Sequence, residues 1–240
     1  MQIRKWVKLP TAWINDESGL HNFRWTGERR ANNIAALMVL VTIAHHAEDE
    51  SGAAKLTYDK LSQFTGLSRS KISGGLDVLE KNKLIERGTK GKGTYQLCNY
   101  TLERGWAKLP AKGLYDSASG GIAAFQNFHL RKRVELDSLK LYLLFAARRG
   151  RDTNMANISY DNICKYAGVH RDHIKSALSL LAANGLVHVE HVPSMISDYG
   201  VSNAYRLTHL DTYKHMGTVG RNMDTFTENK GEKTKRTIPF

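Results

Sequence analysis

The chain has 240 residues, 41% of them hydrophobic, enough for two domains with cores of ordinary size. Lys and Arg number 35 against 23 Asp and Glu, a formal charge of +12, so the expected partner is an anion, nucleic acid before an acidic membrane surface. The apolar run Ile34 to Ala44 falls short of the ~20 residues a bilayer requires, the opening MQIRKWVKLP lacks the apolar core of a secretory leader, and two distant cysteines, Cys98 and Cys164, fit a reducing compartment; a cytoplasmic location and no membrane partner are expected.

The stretch WVKLP, Trp6 to Pro10, predicts a short extended segment, because the residue before a proline avoids the helical region. A long apolar helix over roughly 31–47 follows and reads as core. Thr57 then stands where a cap belongs, ahead of a short helix over 58–64 that Gly66 ends in a left-handed conformation. Ser68 caps a further helix running to about Asn82. Its apolar stripe is Ile72, Leu76 and Leu79, and Ser70, Gly74, Asp77 and Lys81 stand opposite. Gly74 and Gly75 each cost a helix interior about 1 kcal/mol relative to alanine, which points to close approach by a partner helix or by a DNA backbone. In 84–97, two β-like runs flank a glycine-rich tip carrying Arg87, Lys90 and Lys92, the pattern of a β-hairpin.

The order then starts again. WAKLP, from Trp106, repeats the opening motif at an offset of 100, and a helix over 137–149 carries Leu139, Leu143 and Leu144 on one side. Residues 158–188 align without a gap on residues 56–86 at an offset of 102, with nine identities in 31 positions. These are Tyr58/Tyr160, Asp59/Asp161, Gly66/Gly168, Arg69/Arg171, Ile72/Ile174, Leu76/Leu178, Leu79/Leu181, Asn82/Asn184 and Leu84/Leu186. The chain is a tandem duplication. Its expected division is a first domain over 1–100, a second over 101–210 and a basic polar tail over 211–240.

Two helices joined by a short turn containing glycine, followed by a hairpin, define each copy. On the residues FTGLSRSKISGGLDVLEKNKLIE, the tip RGTKGKGTY and the second copy YAGVHRDHIKSALSLLAANGLVHVE, the chain resembles tandem winged helix-turn-helix DNA-binding proteins. The KLP segments are similar to those of plasmid and mobile-element replication initiators. The resemblance implies a mainly α fold with small β-hairpin wings (α+β), and a second helix of each turn motif that enters the major groove. Residue by residue, it assigns DNA contact to Ser68, Arg69, Ser70, Lys71 and Ser73 in the first copy and to His170, Arg171, His173 and Lys175 in the second. Arg69 and Arg171 align; each either reads guanine or binds phosphate alone.

The first wing, with Arg87, Lys90 and Lys92, suits phosphate or a minor groove, although idle turns also carry such residues. The second, over 191–203, has no Lys or Arg and includes Asp198, so it meets another protein or folds onto its own domain. Ahead of the second core helix, Arg131, Lys132 and Arg133 face phosphates or form a plain charged surface, as do Arg148, Arg149 and Arg151 after it. Trp6, Trp13 and Trp25 supply either core or a self-association surface.

No nucleotide loop, nucleophile elbow or paired catalytic carboxylates are recognisable, His45 and His46 point apart on a helix, and neither cysteine has zinc spacing, so no enzyme activity, metal or cofactor is expected. Asp59 and Asp161 sit in first helical turns, where the helix dipole favours a carboxylate. The expected role is sequence-specific binding of double-stranded DNA, as a transcriptional regulator of a plasmid, phage or mobile element. The alternatives are a replication initiator acting on iterated repeats, a nuclease on the same platform, and a protein-interaction scaffold.

Overall fold

In a computed structural model, residues 3–27, 30–88, 91–103, 105–151, 153–193 and 201–210 are described. The chain is mixed α and β, its helices carrying small antiparallel sheets. The first copy runs β1 (Trp6–Pro10), α1 (Ala12–Asn15), a 3-10 turn at Leu20–Asn22, α2 (Arg30–His46), β2 (Ala53–Lys55), α3 (Tyr58–Thr65), α4 (Arg69–Lys81), β3 (Ile85–Arg87) and β4 (Thr94–Leu97). The second runs β5 (Trp106–Pro110), 3-10 turns at Lys112–Leu114 and Ala123–Asn127, α5 (Arg133–Arg148), β6 (Met155–Asn157), α6 (Tyr160–Ala167), α7 (Arg171–Ala183), β7 (Val187–Pro193) and β8 (Val201–Leu207). Each copy builds one three-stranded sheet, in the order β2-β4-β3 and β6-β8-β7. The short strands β2 and β6, which have no alternating pattern to announce them, dock on the hairpin's returning strand.

The turn motifs form for local reasons. The hydroxyls of Thr57 and Ser159 accept the amides of Lys60 and Asn162, opening α3 and α6. Both helices end at glycines with left-handed φ, +72° at Gly66 and +60° at Gly168. Ser68 then opens α4 by accepting the Lys71 amide, and the His170 ring takes that role for α7 toward Asp172.

The long helices depart from the one-sided stripe. Every residue of α2 from Ile34 to His46 is buried, and so is every residue of α5 from Glu135 to Ala146. A helix turns a single stripe inward only when it packs on one side. Here α2 packs on α4, α3 and its own strands and also on α5, while α5 packs on α7, α6, β5 and α2, so both lie at the centre of one continuous core. Gly74 and Gly75 serve this packing. A Cβ on Gly75 would meet the Ala36 amide nitrogen at 2.9 Å, and one on Gly74 would meet the Asn32 side chain. Gly74 therefore faces α2, not outward with Ser70.

The repeated KLP segments pair with each other. β1 and β5 are antiparallel with Lys8 opposite Lys108, so equivalent residues face one another at the centre of the ladder. Contacts across that point come in equivalent pairs. The Thr11 amide donates to the Gly105 carbonyl at 2.8 Å and the Ala111 amide to the Lys5 carbonyl at 3.0 Å. The Trp6 and Trp106 rings stack at 6.0 Å, with Lys108 over Trp6 and Lys8 over Trp106. Trp6 thus packs across the seam between the copies, against Trp106.

Beyond the strands the leading segments cross over. The first copy's segment lies on α5 and α6, where the His21 ring meets the Lys165 carbonyl at 2.8 Å and abuts Gly168. The second copy's segment lies on the end of α3, where the Ile122 amide donates to the Phe64 carbonyl at 2.9 Å and Gln126 abuts Gly66. Tyr115 joins the same contact, its hydroxyl 3.0 Å from His45 and 3.3 Å from His46. The boundary at 100/101 separates the copies in sequence, but the packing runs across it.

Candidate nucleic-acid interface

The first turn of α4 is open to solvent at Ser68, Arg69 and Ser70, while Lys71 and Ser73 are half-buried along its flank. Arg69 does not stand free. Its guanidinium lies 2.6 Å from Asp59, in the first turn of α3. In the second copy Ser68's place is taken by exposed His170, Arg171 lies 2.5 Å from Asp161 and over the Tyr160 ring, His173 is half-buried and Lys175 is exposed. The repeated aspartates therefore have a second task besides meeting the helix dipole: each ties the start of one helix to the start of the next.

Beside the first copy's turn lies a cleft of about 410 Å³. Ser68 and Lys71 of α4 form one wall, and His129 and Arg131, from the segment before α5, form the other. The cleft joins cations that stand 60 residues apart in sequence, Lys71 and Arg131. Arg131 and Lys132 are exposed and form no salt bridge among the described residues. What fixes them is Glu135. Its buried carboxylate accepts the backbone amides of His129, Leu130, Arg131 and Lys132, those of Arg131 and Lys132 at 2.7 Å. Glu135 carried no functional signal in the sequence, where it stands ahead of the helix read over 137–149; the helix in fact starts at Arg133, and Glu135 shapes this wall.

The first wing divides its cations between two tasks. Arg87 is bound to α4, with Asp77 at 2.9 Å and Glu80 closer still. The Glu80 bond raises the guanidinium's pKa, and Arg87 in turn holds the Glu80 carboxyl below its ordinary value. Arg87 therefore fastens the wing to the helix. Lys92 is exposed at the tip, on the rim of a second groove of about 520 Å³ that Tyr58, Leu76 and Tyr95 line. Lys90 lies outside the described residues, as do residues 194–200 of the second wing and the tail over 211–240. At the base of the second hairpin, just outside 191–203, the buried Glu190 of β7 pairs with Arg206 of β8, so this carboxylate is held inside its own sheet.

Other cations are engaged. Arg133 reaches Asp137 at 3.4 Å, Arg148 lies 4.1 Å over the Tyr166 ring, and burial lowers the pKa of Arg149. Lys140, buried within α5, donates to the Phe23 carbonyl, and desolvation pulls its pKa to about 8. It clamps the first copy's leading segment to the second copy's core. Among the described residues no group of three or more His, Cys, Asp or Glu is placed to hold a metal ion, and no helix is long and apolar enough to cross a membrane. One ring nitrogen of each of His45 and His46 meets the Tyr115 hydroxyl, His45 Nε2 is buried without a hydrogen-bond partner among the described residues, and His46 stacks on Phe64 at 4.5 Å.

No protein-family model matches the chain, and no curated protein matches it at a significant level.

Proposed function

We propose that this chain is a sequence-specific binder of double-stranded DNA with two winged helix-turn-helix reading heads, acting as a transcriptional regulator of a plasmid, phage or other mobile element. The observation that carries the reading is the first copy's turn. There an exposed, capped helix start with Ser68 and Ser70 faces open solvent, and Lys71 and Arg131 gather at its side. Small polar side chains at a helix start admit close approach to base edges, and flanking cations meet the phosphates on either side. A three-stranded sheet accompanies each helix pair, with the same strand order in both copies, which supports the reading. The net charge of +12 supplies the long-range attraction.

Selection of bound duplexes from a random library tests the reading, followed by binding of the winner and of scrambled DNA at two salt concentrations. A recovered motif that outcompetes scrambled DNA at both supports it. Weak, salt-sensitive binding to every duplex would remove sequence recognition. Iterated copies of the motif in the source element would move the role from transcription to replication initiation.

A further inference from the structure

The sequence leaves open whether two heads would read direct or inverted repeats. The seam between the copies decides it. An interface in which residue i touches j and j's counterpart touches i's is isologous, and it is generated only by a two-fold axis. The seam meets that condition three times over. Lys8 faces Lys108 in the ladder, Thr11 and Ala111 donate to Gly105 and Lys5, and each lysine covers the other copy's tryptophan. Gly66 and Gly168 are also each covered by the other copy's leading segment, through Gln126 and His21. A tandem duplication that stacked its copies head to tail would show none of these pairs.

We infer that the target is a single duplex carrying two inverted half-sites of unlike sequence. This rests on the DNA-binding reading above. Two heads related by a two-fold can dock equivalently on one straight duplex only if the axis also relates the two docking sites. A duplex has such axes only perpendicular to its length, so the half-sites run in opposite senses. The halves differ because the reading turns differ. The first offers Ser68, Arg69, Ser70 and Lys71; the second offers His170, Arg171, Asp172 and His173. The first offers hydroxyls that donate or accept and a lysine that only donates, around a shared arginine, while the second adds a carboxylate, which suits the exocyclic amine of cytosine and repels phosphate. The hairpins reinforce the difference, with Lys92 exposed on the first and Glu190 paired at the base of the second.

The test uses the full chain and the duplex recovered by selection. One half-site is reversed in place, with the centre-to-centre spacing kept, so that an inverted arrangement becomes a direct one. A loss of about tenfold or more in affinity, with footprints over both halves of the original site, is the expected result. Equal binding to the direct arrangement, two like-oriented halves from the selection, or protection of one half alone would each overturn the inference while leaving DNA recognition intact. Recovery of no motif overturns the DNA reading and the inference with it. A second arm replaces the α7 turn with that of α4, as His170→Ser, Asp172→Ser and His173→Lys. Selection with this variant should return a site whose halves match as a palindrome. An unchanged second half would mean that α7 does not read it.

Discussion

The guanidinium of Arg69 is held 2.6 Å from the carboxylate of Asp59, and one repeat later Arg171 stands 2.5 Å from Asp161. Two of the nine identities between the copies are thereby explained as one device, a brace across the turn. The brace leaves each arginine exposed, so it fixes where the cation stands before anything arrives. Asp59→Asn releases the arginine. Binding to random duplex should tighten, and the slope of log affinity against log salt should steepen by about one. Arg69→Ala should weaken the selected site by about tenfold while changing scrambled DNA less. An equal loss on both would reduce Arg69 to a phosphate contact.

The first wing offers a cleaner separation. Arg87 is committed to Asp77 and Glu80, whereas Lys92 is exposed at the tip. Arg87→Ala should lower the melting temperature by about 2–4 °C, as expected for loss of roughly 1 kcal/mol in a chain of this size. Lys92→Ala should leave melting unchanged and reduce the salt slope by about one. Scanning calorimetry and salt titration of the two variants check both halves of the statement.

Gly74 and Gly75 should respond oppositely to alanine. At Gly75 the new Cβ meets the backbone of Ala35 and Ala36, which cannot move without displacing α2. The expected cost is about 1–3 kcal/mol, more than the helix propensity returns. At Gly74 the obstacle is the Asn32 side chain, which can swing aside, so stability should stay level or rise by up to about 1 kcal/mol. Urea unfolding midpoints of the two variants decide between them.

These glycines mark where sequence reading works and where it stops. The repeat, the caps at Thr57 and Ser68, the left-handed Gly66 and the first hairpin were legible because each depends on neighbours within a few residues. The central position of α2 and α5 was not, because a helix packed on several sides shows no stripe to read. The pairing of β1 with β5 was visible only as a repeated motif, since nothing in WVKLP or WAKLP states that its partner is the other copy. The cleft was hidden for a similar reason. Lys71 and Arg131 meet only because the second copy's leading segment crosses to the first, and the carboxylate that fixes Arg131 lies four residues further along at Glu135.

The contact between copies should weaken in acid. Burial lowers the pKa of His45 to about 3 and that of His46 to about 4, against an ordinary 6.5. Below pH 6.5 the unfolded chain takes up protons that the folded chain refuses. Stability is therefore complete above pH 6.5 and falls as pH drops toward 4. Between pH 7 and pH 5 the loss should be about 2 kcal/mol for each histidine. The double variant His45→Gln, His46→Phe removes both proton sites and keeps a ring on Phe64. Its urea midpoint should shift less than the wild type's between those two pH values; an equal shift would place the acid sensitivity elsewhere.

The seam through Lys8 and Lys108 is the contact that two separate, identical chains would make, each lending its leading segment to the other. Joined in one polypeptide, the partners are always present at equal dose and can never pair with their own kind by mistake. Each half is then at liberty to drift. A substitution that suits one side is no longer imposed on the other, as it is in any protein assembled from copies of a single gene product. The turn of one half, with Ser68, Ser70 and Lys71, and that of the other, with His170, Asp172 and His173, are what that liberty permits: an asymmetric molecule on a symmetric plan.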